Sequence, residues 1–326
     1  MRNFIVGVRI LACAATFLAV FSAGCRDKSP EESGRVLLTV PIGVTQLEGQ
    51  TSQSHAERLL QELNDNNSSY VFVAAHRGGW ERDWENRAPE NSLVNIDKAV
   101  RMSFDVYETD LIQSKDGHFV IFHDGTIDRT TNGTGRVMDL SLSQLKELNL
   151  KYTNGKISGE SVPTFEEFLI RGKGRILFKI DYNAPLQSFP DAVRLVKKHG
   201  MLGHVFFRFW WSNEIAEDLT RFIESGMPFH PSLIMFRTRT PEEVRAAVSQ
   251  FSPNIIEVFL YTVDQEITPN GLEALSMARE AGVLIETHSW GGKKEWSELI
   301  KAGVRMLHTQ EPEAMTEFLK NYGVHW

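Results

Sequence analysis

The chain has 326 residues, 42% of them hydrophobic, enough to bury one large α/β barrel or two ordinary domains. Its formal charge of -7 excludes the concentrated basic face that a nucleic-acid partner needs, although one or two local cations can still hold a single phosphate. Both cysteines, Cys13 and Cys25, fall in the first 25 residues, so the rest has no disulfide framework, and any metal there must be held by oxygen or imidazole.

Residues 1–25 read as an export signal: Arg2 and Arg9 supply positive charge, Ile10 to Phe21 is apolar, and Ser22-Ala23-Gly24 brings small residues to Cys25. The segment resembles a bacterial lipoprotein signal, with Cys25 as the lipidated first residue of the mature chain. Ser22 departs from that pattern, which usually has an aliphatic residue there. A cleaved secretory peptide or an uncleaved anchor is the alternative, and every version places the protein outside the cytoplasm, in the periplasm or at the cell surface. Residues 26–54, broken by Pro30, Gly34, Pro41, Gly43 and Gly49, suit a tether to the membrane, within which Val36 to Val40 is a candidate strand.

Residues 55–326 form the expected catalytic domain. Eight short runs rich in β-branched and aromatic residues begin at Val71, Val106, Ile176, His204, Ser232, Ile255, Val283 and Arg305. Helical patterns alternate with them: Ser92 to Met102, Ala192 to His199, Asn213 to Ser225, Pro241 to Gln250, Gly271 to Ala281 and Glu295 to Lys301. Eight strand–helix repeats over this length predict a (β/α)8 TIM barrel. A small insertion follows the second strand, made of the hairpin Phe119 to Phe122 and a long loop with the Asn132-Gly133 turn. An open doubly wound sheet is the alternative. The barrel is preferred because the chemically distinctive residues cluster at the carboxyl ends of strands.

His76 follows the first strand directly, and Arg77 beside it offers a planar fork of donors that matches phosphate oxygens. Glu108 and Asp110 lie two apart on the second strand, so both face the same way. Facing a barrel interior they repel each other, and a divalent cation removes that conflict. The alternative is an edge strand whose carboxylates point to water. His123 leaves the hairpin beside Asp124, placed as a proton donor or acceptor near neutral pH. Glu90 stands before a helix that Asn91 or Ser92 can cap.

In order these elements read His76-Arg77-Gly78, Pro89-Glu90-Asn91, Glu108-Thr109-Asp110 and His123-Asp124. The pattern resembles the glycerophosphodiester phosphodiesterase family over roughly residues 70 to 323. The resemblance implies metal-dependent hydrolysis of glycerophosphodiesters, small-molecule substrates, to glycerol 3-phosphate and an alcohol such as choline or ethanolamine. Glu108 and Asp110 would hold Ca²⁺ or Mg²⁺, Arg77 would hold the phosphate, and His76 and His123 would exchange protons as base and acid, in either assignment. Glu90 would line the site.

The family's apolar strand ending in Glu-x-Lys aligns onto Asp181 and Asn183, so Asp181 takes the third ligand role. Asn183 stands in the substrate site where the family has lysine. Arg208 then becomes a second phosphate-binding candidate, and Lys179, on the same face as Asp181, remains open. Trp80 and Trp84 on an inserted loop, with Trp210, Trp211 and Trp290 after later strands, suggest an aromatic rim able to cradle a choline-like cation. Departures at Glu286, His288 and Gln310 leave the substrate open: a lysophospholipase-D-like or phosphoinositide-type phosphodiesterase, or a surface-anchored protein that binds without turnover, are the alternatives. The oligomeric state is left open.

Overall fold

Eight parallel strands close on themselves in the order of the chain: β1 (Phe72–Ala75), β2 (Val106–Gln113), β3 (Leu177–Tyr182), β4 (Val205–Trp210), β5 (Ile234–Thr238), β6 (Ile255–Val258), β7 (Leu284–His288) and β8 (Met306–Thr309). β1 pairs with both β8 and β2, which completes the (β/α)8 barrel and disposes of the open-sheet alternative. The computed structural model describes residues 53–79, 85, 87–260, 262–263 (backbone only) and 266–326. The export signal with Cys25, the tether up to residue 52, the Val36 to Val40 run and Trp80 and Trp84 lie outside the described residues.

The helices form where capping residues meet amphipathic runs. Ser92, Ser212, Thr240 and Thr268 each accept a backbone N–H at the start of Leu93–Arg101, Asn213–Glu224, Pro241–Phe251 and Pro269–Glu280. Three helices beyond the sequence expectation carry full capping boxes: His55–Asn64 on Ser54 and Glu57, Leu142–Lys146 on Ser141 and Gln144, and Phe165–Gly172 on Thr164 and Glu167. Among the described residues no helix is long and apolar enough to cross a membrane.

The interior changes character along the barrel axis. At the amino ends, Phe72, Val106, Leu177, Phe206, Ile255 and Met306 pack with Leu59 and Leu63 of the first helix, a dry plug under the barrel. Two residues further along five of these strands the same inward parity presents Glu108, Lys179, Arg208, Glu257 and His308, while β1 presents Ala74. Apolar burial at one end thus supports charge burial at the other.

The insertion after β2 is a separate small unit. Phe119–Ile121 pairs antiparallel with β2, Asn149–Lys151 pairs with Ile157–Ser161, and Val120, Phe122, Ile127, Val137, Leu145, Leu150 and Val162 form its own core.

The turn after β1 depends on Gly78, whose φ is +71°. A Cβ there would lie 2.2 Å from the Tyr107 ring and 2.6 Å from Asn95 Nδ2. Gly78→Ala therefore combines a forbidden φ with overpacking, and is expected to lower the unfolding free energy by roughly 2 kcal/mol or more in urea titrations.

Candidate active site

The chain leaves β1 straight into a single tight turn, His76–Gly78. Arg77 sits in the left-handed region (φ 46°), which costs a side-chain-bearing residue about 1 kcal/mol. Its peptide is pinned from both sides. Its N–H donates to Glu108 Oε2 (2.9 Å), and its carbonyl accepts from Asn95 Nδ2 (3.0 Å) and the Tyr107 hydroxyl (3.3 Å). The turn sets the His76 ring 5.3 Å from that of His308 and 5.6 Å from that of Trp290. Burial pulls the His76 pKa down to about 4, so its imidazole is neutral at pH 7.

Glu108 and Asp110 are both buried, which overturns the edge-strand alternative. Asp110 lies in register with Asp181 on β3. One oxygen each from Glu108, Asp110 and Asp181 fall within 4.8 Å of one another, and so do ligand atoms of His76, Glu108 and His308, with Glu108 common to both groups.

Do these residues fit a divalent cation? Asp110 Oδ2 and His308 Nε2 are buried without a hydrogen-bond partner. Burial and the charge of Glu108 push the Asp110 pKa well above the carboxylate range. On the strands of the charged half, the cations Lys179, Arg208 and Arg237 face the carboxylates Glu108, Asp110, Asp181, Glu257 and Glu286, while Arg77 and Glu90 on the loops above pair with each other. Three against five leaves a deficit that one divalent cation would fill, and the oxygen-rich donor set suits Ca²⁺ or Mg²⁺.

The remaining sequence candidates spread over three places. Lys179 is fully buried and belongs to the layer beneath Asp181, with its Nζ 2.5 Å from Glu286 Oε1 and 3.2 Å from Glu257 Oε2. Its charge is committed there. Burial and the neighbouring Glu257 raise Glu286 to about 7. Asn183 Nδ2 donates to Asp110 Oδ1 (3.2 Å), a neutral contact at the lysine position. The Arg208 guanidinium pairs with Asp181 and lies 3.6 Å from Glu257 Oε2.

The insertion contributes His123. Its Nδ1 contacts Asp124 Oδ1 (2.6 Å), Asp124 accepts from Arg129 Nε (2.7 Å), and Arg129 makes a double hydrogen bond at 2.8 Å to Glu90. Glu90 Oε1 is 3.5 Å from the Arg77 guanidinium. Burial would raise Asp124, yet Arg129 and His123 hold it down to about 2. A continuous run of charged contacts therefore links His123 to Arg77, and His123 is close enough to depress His76 further. Ser92 caps its helix, while Asn91, at φ 57°, accepts the Thr109 hydroxyl (2.7 Å).

Two participants escaped the sequence reading. His308 is one, although the inward parity of Met306 on β8 carries over to it. Arg129 is the other, within the long loop of the insertion read for its Asn132-Gly133 turn. The rim expectation divides. Trp210 (38% exposed) and Trp290 (46% exposed) stand at the mouth, whereas Trp211 is buried against Phe236 and Phe251. The correction follows from parity, since consecutive residues leaving a strand face opposite ways.

Comparison with known proteins agrees with this geometry. Residues 76–199 match the model of the Glycerophosphoryl diester phosphodiesterase family. The glycerophosphodiester phosphodiesterase of Caldanaerobacter subterraneus is 26% identical over 261 residues, covering 78% of this chain and 99% of the relative. Among solved structures, a glycerophosphoryl diester phosphodiesterase of Parabacteroides distasonis superposes with a TM-score of 0.68 at 21% identity, over 82% of this chain and 93% of that one. A phosphodiesterase of Oleispira antarctica, solved with the product sn-glycerol-3-phosphate, gives a TM-score of 0.61 at 18% identity, over 78% and 100%. With its four sequence elements gathered at the mouth of one barrel, the chain belongs to the glycerophosphodiester phosphodiesterase family.

Proposed function

We propose that this chain hydrolyses glycerophosphodiesters to glycerol 3-phosphate and a free alcohol. The observation that carries this reading is the meeting of Glu108, Asp110 and Asp181 beside His76, with a buried Asp110 oxygen left unpaired. A divalent cation on these carboxylates, Ca²⁺ or Mg²⁺, would supply polarisation of a phosphoryl oxygen. The product held by the Oleispira phosphodiesterase is the one expected here.

In this reading His76, neutral at working pH, takes the proton from the neighbouring glycerol hydroxyl as it attacks phosphorus, giving a cyclic phosphate that water then opens to glycerol 3-phosphate. His123, held by Asp124, returns a proton to the oxygen of the departing alcohol. Arg77, directed by Glu90, holds the phosphate. Asn183 and Arg208 act through the carboxylates they contact, keeping Asp110 and Asp181 oriented. The cation-cradling role suggested for the tryptophans does not extend to Trp210, whose ring already carries two guanidinium groups.

His76→Ala and His123→Ala are each expected to slow release of alcohol from glycerophosphodiesters by roughly 10²- to 10⁴-fold. Near-normal turnover in both would remove the mechanism. Chelation should abolish activity, and Asp110→Asn should weaken calcium or magnesium binding measured by calorimetry as well as turnover. Unchanged metal affinity would exclude Asp110 as a ligand. For the amino-terminal segment we assign export and lipidation at Cys25, so the full chain should partition with membranes and Cys25→Ser should move it to the soluble fraction.

A further inference from the structure

The mouth has a second cationic feature, at the carboxyl ends of β4 and β5. Trp210 ends β4, and the guanidinium groups of Arg237 and Arg239, both from β5 or just beyond it, lie 4.6 Å and 3.8 Å from its ring centroid. Arg237 also sits 5.4 Å from the Phe259 ring. These two arginines have different fates. Arg237 is buried, pairs with Glu257 and contacts His288 Nε2, so its charge is spent inside the barrel. Arg239 is exposed, and among the described residues no carboxylate lies within ion-pair distance of its side chain. Glu243 comes nearest in function, but its Oε2 takes the Arg239 backbone N–H at 2.6 Å.

Stacking on an indole fixes the plane of a guanidinium and leaves its N–H edge free to meet a ligand. The platform is continuous with the reaction centre. Phe259 is 5.9 Å from His288, His288 is 5.0 Å from Trp290, and Trp290 is 5.6 Å from His76. A cation on a pre-oriented fork at the lip of a phosphodiester site suits a second anion. The glycerol half of such a substrate carries only hydroxyl groups, so that anion must belong to the alcohol half.

We propose that Arg239, stacked on Trp210, recognises an anionic group on the alcohol half of the substrate, which makes the preferred substrates glycerophosphodiesters whose alcohol bears a carboxylate or a phosphate. This rests on the reaction assigned above. Arg239 touches substrate remote from the reacting bonds, so its effect belongs in KM rather than kcat.

Two matched pairs isolate the extra anion: glycerophosphoserine against glycerophosphoethanolamine for a carboxylate, and glycerophosphoinositol 4-phosphate against glycerophosphoinositol for a phosphate. The wild-type enzyme with its divalent cation should favour the anionic member of at least one pair in kcat/KM. Arg239→Ala should reduce that ratio about tenfold through KM, and Arg239→Lys should restore part of it. Equal kcat/KM within both pairs, or a ratio unchanged in Arg239→Ala, overturns the proposal. Calorimetric Kd values for the same diesters in a His123→Ala background separate the two readings. If no diester is turned over, the assigned reaction fails, while the Arg239 site still stands or falls on whether the Kd ratio depends on Arg239.

Discussion

Five carboxylates and three cations stand on the strands of the charged half of a barrel whose other half is dry, and the site's organisation follows from that imbalance. Burying unpaired charge costs several kcal/mol per group, so each carboxylate must find a cation or keep a proton. Glu257 finds Lys179, Arg208 and Arg237, and they hold it ionised against its burial. Glu108 accepts the Arg77 N–H and has Lys179 and Arg208 near it, and it too is held down against its burial. Asp110 and Glu286 are the pair left over, and both are pushed upward. Glu286 has Lys179 against it, whereas Asp110 is hydrogen-bonded by the neutral amide of Asn183 and feels Arg77 and Arg208 through space, too weakly to offset its burial beside Glu108. The unmet demand for positive charge is thus focused at the mouth, where a hydrated cation can enter.

That focus needs support from below. Inward parity places apolar side chains at the amino ends and charged ones two residues later, so the ion network stands on a floor that excludes water. Lys179 shows the consequence. It shares a face with Asp181, yet its Nζ ends among Glu257, Glu286 and His308 rather than beside Asp110 and Asp181. Replacing a member of this layer would release charge into a medium that screens poorly, so its residues stabilise the site without reaching the substrate.

Much of this was legible in the sequence because strand parity is local. Glu108 and Asp110 had to share a face, His76 had to follow β1, and the eight runs had to alternate with helices. What parity cannot say is which side chain meets which across the barrel, since that depends on register between strands far apart in the chain. His308 went unremarked because its partners, Glu108 and Glu286, stand on β2 and β7. Arg129 went unassigned for the same reason: Glu90, its partner at 2.8 Å, lies 39 residues away on another loop. The helix His55–Asn64 was legible, since Ser54 and Glu57 spell its capping box, but it lay next to a stretch read as tether.

The asparagine at position 183 connects these observations. An ammonium there would offset the carboxylates and face the phosphate at the same time, whereas the amide of Asn183 does neither with a full charge. The site therefore draws more strongly on a cation, and the assigned phosphate contact falls more heavily on Arg77. Arg77 is directed by Glu90, Glu90 is clamped by Arg129, and Arg129 comes from the insertion that also carries His123. In the proposed function, an amide just after β3 where the family has a lysine makes the insertion part of the phosphate site. The small core of Val120, Ile127, Val137 and Leu145 then holds both His123 and the orientation of Arg77.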